Sequence, residues 1–237
     1  MQNQLCLENI FISYSNAKII QDLSWNFSSQ SVTVILGRSG SGKSTLLKAI
    51  AGLIPYQGAI KNNELEQSIV FQEPRLLPWL TVAENVLQFA KLKKQSIKEQ
   101  KRDQVLSDVG LRDMKHLFPH QLSGGMKMRV ALARAIIMDA KLLLLDEPFS
   151  ALDEPTRFQL GQLLLLIKNR FGVTVIMVSH DIEESLTLAD EVLLIDQGQI
   201  KKSHSLHGIS KNIPFYQNPE LMKIAQDLRN NYIEVSN

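Results

Sequence analysis

Eight consecutive residues, Gly37, Arg38, Ser39, Gly40, Ser41, Gly42, Lys43 and Ser44, restrict this chain more than any other feature. They match the complete G-x-x-x-x-G-K-[ST] pattern, and Thr45 follows. Residues 31–36 (SVTVIL) read as a buried strand running straight into this turn, and residues 43–52 read as a helix leaving it. Glycines at this junction let successive backbone N–H groups curl around phosphate oxygens, and the helix N-terminus adds a dipole that favours an anion. Lys43 supplies a mobile positive charge to the β- and γ-phosphates, and the Ser44 hydroxyl can ligate Mg²⁺. An ordinary glycine-rich turn needs neither the lysine, the hydroxyl nor the flanking elements, so nucleotide binding is expected.

The rest of the chain extends that strand–turn–helix unit into an α/β fold. Residues 141–145, 173–178 and 191–195 are further compact apolar strands, alternating with helical stretches at 156–170 and 182–188. Residues 10–14 and 200–202 read as peripheral strands. Residues 73–138 have no convincing strand, which suggests a helical subdomain inserted into the core. The spacing of Thr81-Val-Ala-Glu84 predicts a capping box and a helix start. One domain is expected over 1–237, with an α/β core at 1–72 and 139–202, the helical subdomain at 73–138 and a tail at 203–237. Within the tail, residues 219–228 read as an amphipathic helix.

Composition excludes several classes of function. Of 237 residues, 44% are hydrophobic, enough for a sizeable core. Lys and Arg number 26 against 24 Asp and Glu, so bulk charge gives no reason to expect a nucleic-acid coat. The basic stretch 91–102 is interrupted by Gln, Ser and Glu, and reads as a solvated helix face. Cys6 is the only cysteine, which rules out an internal disulfide or a cysteine zinc cluster. No apolar run approaches the roughly 18 residues of a membrane span, and residues 1–6 lack the character of a signal peptide. A soluble, cytoplasmic protein is expected.

A second motif, residues 142–147 (LLLLDE), is an apolar strand ending in two acids. Ligands bind at the C-terminal ends of strands in open α/β sheets. Asp146 can hold Mg²⁺ through a water, and Glu147 can orient and polarise the water that attacks a γ-phosphate. With the further segment Leu122, Ser123, Gly124, Gly125 and Met126 ahead of an apparent helix, the chain resembles the ATP-binding cassette (ABC) ATPases over residues 4–202.

The resemblance implies a phosphate-loop NTPase core with a parallel sheet, an inserted helical subdomain and a peripheral antiparallel β region. It also implies the remaining site positions. Gln72 corresponds to the family's sensor of Mg²⁺ and the attacking water, and His180 to its switch histidine at the γ-phosphate. Ser150, Ala151, Leu152 and Asp153 correspond to the loop crossing a dimer interface, and Tyr14 to the aromatic residue stacked on adenine. In the family the signature segment faces the γ-phosphate held by the other subunit. Two departures stand out: Met126 replaces the generic signature Gln, and residues 57–67 are short for the family's hairpin region. Activity is expected to survive the first, because Ser123 and the glycines carry the phosphate contact. The second puts the peripheral antiparallel sheet in question.

Complete sites then require two cassettes with two ATP molecules, from a homodimer or a similar paired subunit. Transport would require separate integral membrane permease subunits, with a periplasmic or extracellular solute-binding protein acting through them; no nucleic acid is expected. Residues 71–85 (FQEPRLLPWLTVAEN) hold Leu76, Leu77, Trp79 and Leu80 in an apolar loop, because Pro74 and Pro78 disfavour helix before Thr81. These side chains either fill the helical subdomain's core or form the groove for a permease helix, docking near 72–80. The segment resembles the nitrate, sulfonate and taurine importer ATPases, and thiamine-precursor importers share much of its pattern. An exporter-type cassette and a soluble non-transport ABC protein are the alternatives. The protein would sit on the inner face of the membrane through its permease.

Overall fold

The computed structural model describes residues 4–14, 17–62, 65–211 and 213–234, so residues 63–64 of the short stretch and 212 and 235–237 of the expected tail lie outside them. The first strands, β1 (Leu5–Tyr14) and β2 (Ala17–Phe27), form an antiparallel hairpin in which Leu5 faces Phe27 and Tyr14 faces Ala17. Only the second half of β1 was legible as a strand, because its alternation breaks at Asn9. There the backbone turns to φ 48°, the register shifts, and the Asn9 N–H donates to Ser24 Oγ at 2.9 Å. Leu5, Leu7, Ile10 and Ile12 are nevertheless all buried, on one side of the break or the other.

The next elements are β3 (Val32–Leu36), α1 (Lys43–Ile50) and β4 (Gln57–Lys61). β4 pairs antiparallel with β1, giving a sheet ordered β2-β1-β4. The antiparallel region that the short 57–67 stretch put in question is therefore present. Gly58 makes the fit possible: at φ 99° its missing Cβ would lie 2.2 Å from the Asn9 carbonyl oxygen, at the site of the irregularity.

Two compact units divide the chain, Met1–Glu64 with Thr174–Asn237, and Leu65–Val173. The second contains β5 (Gln67–Val70), α2 (Val82–Leu92), α3 (Glu99–Asp108), α4 (Gly124–Ile137), β6 (Leu142–Asp146) and α5 (Glu154–Phe171). β5 and β6 run parallel, with Val70 opposite Leu145. The predicted capping box starts α2: Thr81 Oγ1 accepts from the Glu84 N–H, and the Thr81 N–H donates to the Glu84 carboxylate at 2.8 Å. The basic stretch is not one helix face, since α2 stops at Leu92 and α3 starts at Glu99.

The chain returns to the first unit with β7 (Thr174–Ser179), α6 (Ile182–Leu188), β8 (Glu191–Asp196), β9 (Gln199–Ser205) and α7 (Pro219–Glu234). Within this unit the order is β7-β3-β8-β9, with β7, β3 and β8 parallel and β9 antiparallel. All of β3 is buried, as a strand paired on both sides in a parallel sheet requires, and β7 is buried along its whole length too. α7 outruns the amphipathic segment read from sequence and buries Leu221, Ala225 and Leu228. Asp227 of α7 accepts from Lys202 of β9 at 2.6 Å. Among the described residues, no helix is long and apolar enough to cross a membrane.

Candidate functional site

In the first unit, β3 delivers the chain into a loop that only glycine can follow. A Cβ at Gly37 would lie 2.2 Å from the Ile195 carbonyl oxygen, and Gly42, at φ 101°, would bring one within 2.7 Å of Ile20 Cδ1. The loop is held from behind as well, by the Gly198 N–H donating to the Ser41 carbonyl at 3.2 Å. Lys43 is buried, its ammonium donating to the carbonyls of Gly37 at 2.6 Å and Arg38 at 2.7 Å. No side chain caps α1 and no acid lies in its first turn, so no carboxylate of that turn opposes the field at its N-terminus. The buried Ser41 Oγ has no hydrogen-bond partner. A glycine-lined, positively polarised cradle with an orphaned hydroxyl fits a phosphate chain.

His180 enters from the adjacent strand. Leu36 of β3 pairs with Ser179 of β7, so Gly37 and His180 are the next residues beyond the same edge of the sheet. His180 is exposed, while the turn behind it is fixed by Ser179 Oγ donating to Glu184 at 2.6 Å and the Glu184 N–H donating to Asp181 at 3.0 Å. Tyr14 closes the β1–β2 hairpin and is 49% exposed. Ser44 and Thr45 lie half-buried in the first turn of α1, whereas Arg38, half-buried, and Ser39 and Gly40, both exposed, form the rim.

The second unit repeats the edge arrangement. With Val70 paired to Leu145, Gln72 and Glu147 each lie two residues beyond that pair, at the same edge of β5 and β6. Gln72 is exposed, and Asp146 and Glu147 are half-buried. Glu147 holds φ 47°, an unusual conformation for a side chain of this size, in a turn where Ser150 Oγ donates to its carbonyl at 3.0 Å. Asp153 caps α5 by accepting from the Thr156 N–H at 3.3 Å, and hydrogen bonds from Thr156 hold its carboxyl below the usual range.

Ser123 is the N-cap of α4, accepting from the Met126 N–H at 3.3 Å. Its own N–H meets Met126 Sδ at 3.5 Å, so the thioether occupies the place of the glutamine in an ordinary capping box. Gly124 and Gly125 rest on the start of α5: added Cβ atoms would lie 3.1 Å from Leu152 Cδ2 and 2.5 Å from Thr156 Cγ2. The signature segment and the Ser150–Asp153 loop are thus packed together. Leu122 is buried, and Ser123 and Gly124 are exposed beside exposed Ala151.

Of the apolar loop, Leu76, Leu77 and Leu80 are half-buried, and Trp79 alone is strongly exposed, at 69%. Sequence reasoning missed the two side chains that hold this loop, Asn85 and Arg134. Asn85 is fully buried, accepting from the Leu77 N–H at 2.8 Å and donating to the carbonyls of Leu77, Leu80 and Thr81. A polar residue among the buried positions 82, 86 and 90 of α2 was the available signal.

The ABC transporter family model matches residues 20–150. The aliphatic sulfonates import ATP-binding protein SsuB of Mycobacterium avium is 41% identical over 190 residues, covering 79% of this chain and 75% of that protein. The taurine import ATP-binding protein TauB of Yersinia pestis is 42% identical over 208 residues, covering 82% and 80%. Among solved structures, the dimeric ATP-binding cassette MJ0796, in a post-hydrolysis state bound to ADP and Pi, superposes with a TM-score of 0.76 at 28% identity, covering 86% of this chain and 99% of that one.

Proposed function

The chain belongs to the ABC transporter family, and on that premise we propose that it is the ATP-hydrolysing subunit of an importer for small sulfonates such as taurine. The glycine-lined cradle with buried Lys43 and unpartnered Ser41 Oγ is the observation that carries ATP binding. The substrate class rests on the relatives, whose names specify sulfonate and taurine import.

Loop N–H groups and Lys43 bind the phosphates, and Tyr14 offers an exposed ring for adenine. Ser44, Gln72 and Asp146 would hold Mg²⁺, which when bound neutralises charge on the β- and γ-phosphates. Glu147 takes a proton from the attacking water, while Gln72 and His180 orient that water and the γ-phosphate. Ser123 and Gly124 serve the nucleotide of a second cassette, a role supported by their exposure beside the Ser150–Asp153 loop and by the dimeric relative. Trp79 marks the docking surface for the permease on the cytoplasmic face of the membrane.

Glu147→Gln tests the chemistry. It should lower turnover by about 100-fold or more while ATP affinity is retained and dimer accumulates with ATP. Near-normal turnover in the purified variant would remove Glu147 from the mechanism. Taurine uptake by vesicles containing the chain and its genetically linked membrane subunits tests the cargo, with a thiamine precursor and an unrelated solute as controls.

A further inference from the structure

Between β5 and α2 the chain has no regular hydrogen-bonded ladder, yet its backbone is held at six points by two side chains. Asn85 takes one N–H and three carbonyls at the far end, as described above. At the near end, Arg134 forks onto consecutive carbonyls, Nη1 donating to Arg75 at 3.2 Å and Nη2 to Pro74. The same guanidinium lies 5.7 Å over the Phe89 ring of α2. Burial pulls the Arg134 pKa down, so its charge is costly there unless carbonyl dipoles compensate it.

Arg134 belongs to α4, whose N-cap is Ser123. Eleven residues are close to three full turns, so Ser123 and Arg134 lie near one face of the helix, about 16 Å apart along its axis. One rigid helix therefore carries the signature serine at its start and, near its end, the fork that grips the backbone two and three residues after Gln72.

We propose that Arg134 is a positioning residue that sets the Gln72 loop from the signature helix, linking within one subunit the groups assigned to two different nucleotides. The proposal rests on the nucleotide roles given above to Gln72 and Ser123. A shift of α4 when Ser123 engages the opposite nucleotide would be passed through a charged fork to the loop serving the subunit's own ATP. Lysine retains the charge without the fork, whereas glutamine loses the charge and most of the reach.

The test uses the full chain and Arg134→Lys and Arg134→Gln. The Arg75 carbonyl, which Arg134 holds, belongs to the Arg75–Leu76 bond, a trypsin site. Loss of the fork should raise tryptic cleavage at that bond about tenfold or more relative to cleavage elsewhere, most in the Gln variant. The same variants should lose kcat in that order, with KM for ATP within about twofold of the parent. Cleavage at Arg75 and kcat both unchanged in Arg134→Gln would overturn the proposal. Cleavage rising equally at all sites, together with an early melt and equal losses in both variants, would reduce Arg134 to a packing role and also overturn it. An unmutated chain that hydrolyses no ATP would refute the ATPase reading, and selective cleavage at Arg75 would still establish the fork.

Discussion

Two helices of this protein begin at glycines, and they treat their first turns in opposite ways. α1 starts at Gly42 with no capping side chain, behind a loop so tight that Gly37 and Gly42 have no room for a Cβ. α4 starts at Ser123 and caps itself, with Met126 completing the box through sulfur. Its Gly125 exists for contact with Thr156 of α5. A helix start with no side-chain cap can bind an anion by itself. One that has spent part of its amides on its own cap offers a hydroxyl and a short exposed ledge, enough to complete a site supplied by another subunit.

The largest expected effect breaks the comparison at its first member. Lys43→Ala should weaken nucleotide binding by about 100-fold or more, since charge-assisted contacts to two phosphates go together. Ser123→Arg should leave binding by the isolated chain near normal and abolish paired turnover. Titration with a fluorescent ATP analogue beside a phosphate-release assay reads both. Equal loss of binding in the two variants would mean that the two helix starts are not different in kind.

Gly125→Ala comes next. Its Cβ would meet Thr156 Cγ2 at 2.5 Å, so overpacking should cost about 1–3 kcal/mol and lower the melting temperature. Thr156→Ser removes that methyl and should recover most of the loss. Gly124→Ala, with 3.1 Å to a flexible leucine end, should cost less.

Smaller changes sharpen the contrast in capping. Ser123→Ala should cost about 1 kcal/mol of stability through the lost cap, and Met126→Gln should gain a few tenths at most, as amide replaces sulfur. Chemical denaturation midpoints separate the two. The smallest effect concerns pH. Asp153, which caps the helix on which α4 rests, has its pKa held down by Thr156. Its contribution is therefore fully present above the unfolded value, about 4, and is lost as pH falls through the lower folded value. Asp153→Asn, which retains an acceptor, should flatten that acid limb of the melting curve and leave the neutral region unchanged.

The phosphate loop and the strands around it were legible because their constraints are local. A run such as 31–36 must be a buried strand, and the pattern of residues 37–44 places each group relative to its neighbours in the chain. The capping box at Thr81 was legible for the same reason, since both partners lie within one turn. The first half of β1 and all of β2 escaped, because the left-handed residues Asn9 and Asp22 disrupt the period on which strand recognition depends. Met126 was visible as a departure from Gln, but its use of sulfur in the cap was not.

By itself the sequence determined the strand–loop–helix that cradles phosphate, the order of the motifs along the chain, and the absence of chemistry that needs paired cysteines. Only the tertiary structure decided how the loop after Gln72 is held, which of its apolar residues faces solvent, and why Gly125 must be glycine. The physical reason is range. A turn or cap is dictated by dihedral angles and partners a few residues apart, whereas Arg134 grips carbonyls 59 and 60 residues earlier in the chain. Such a contact arises only once packing has brought distant backbone within hydrogen-bond reach, and no local pattern encodes it.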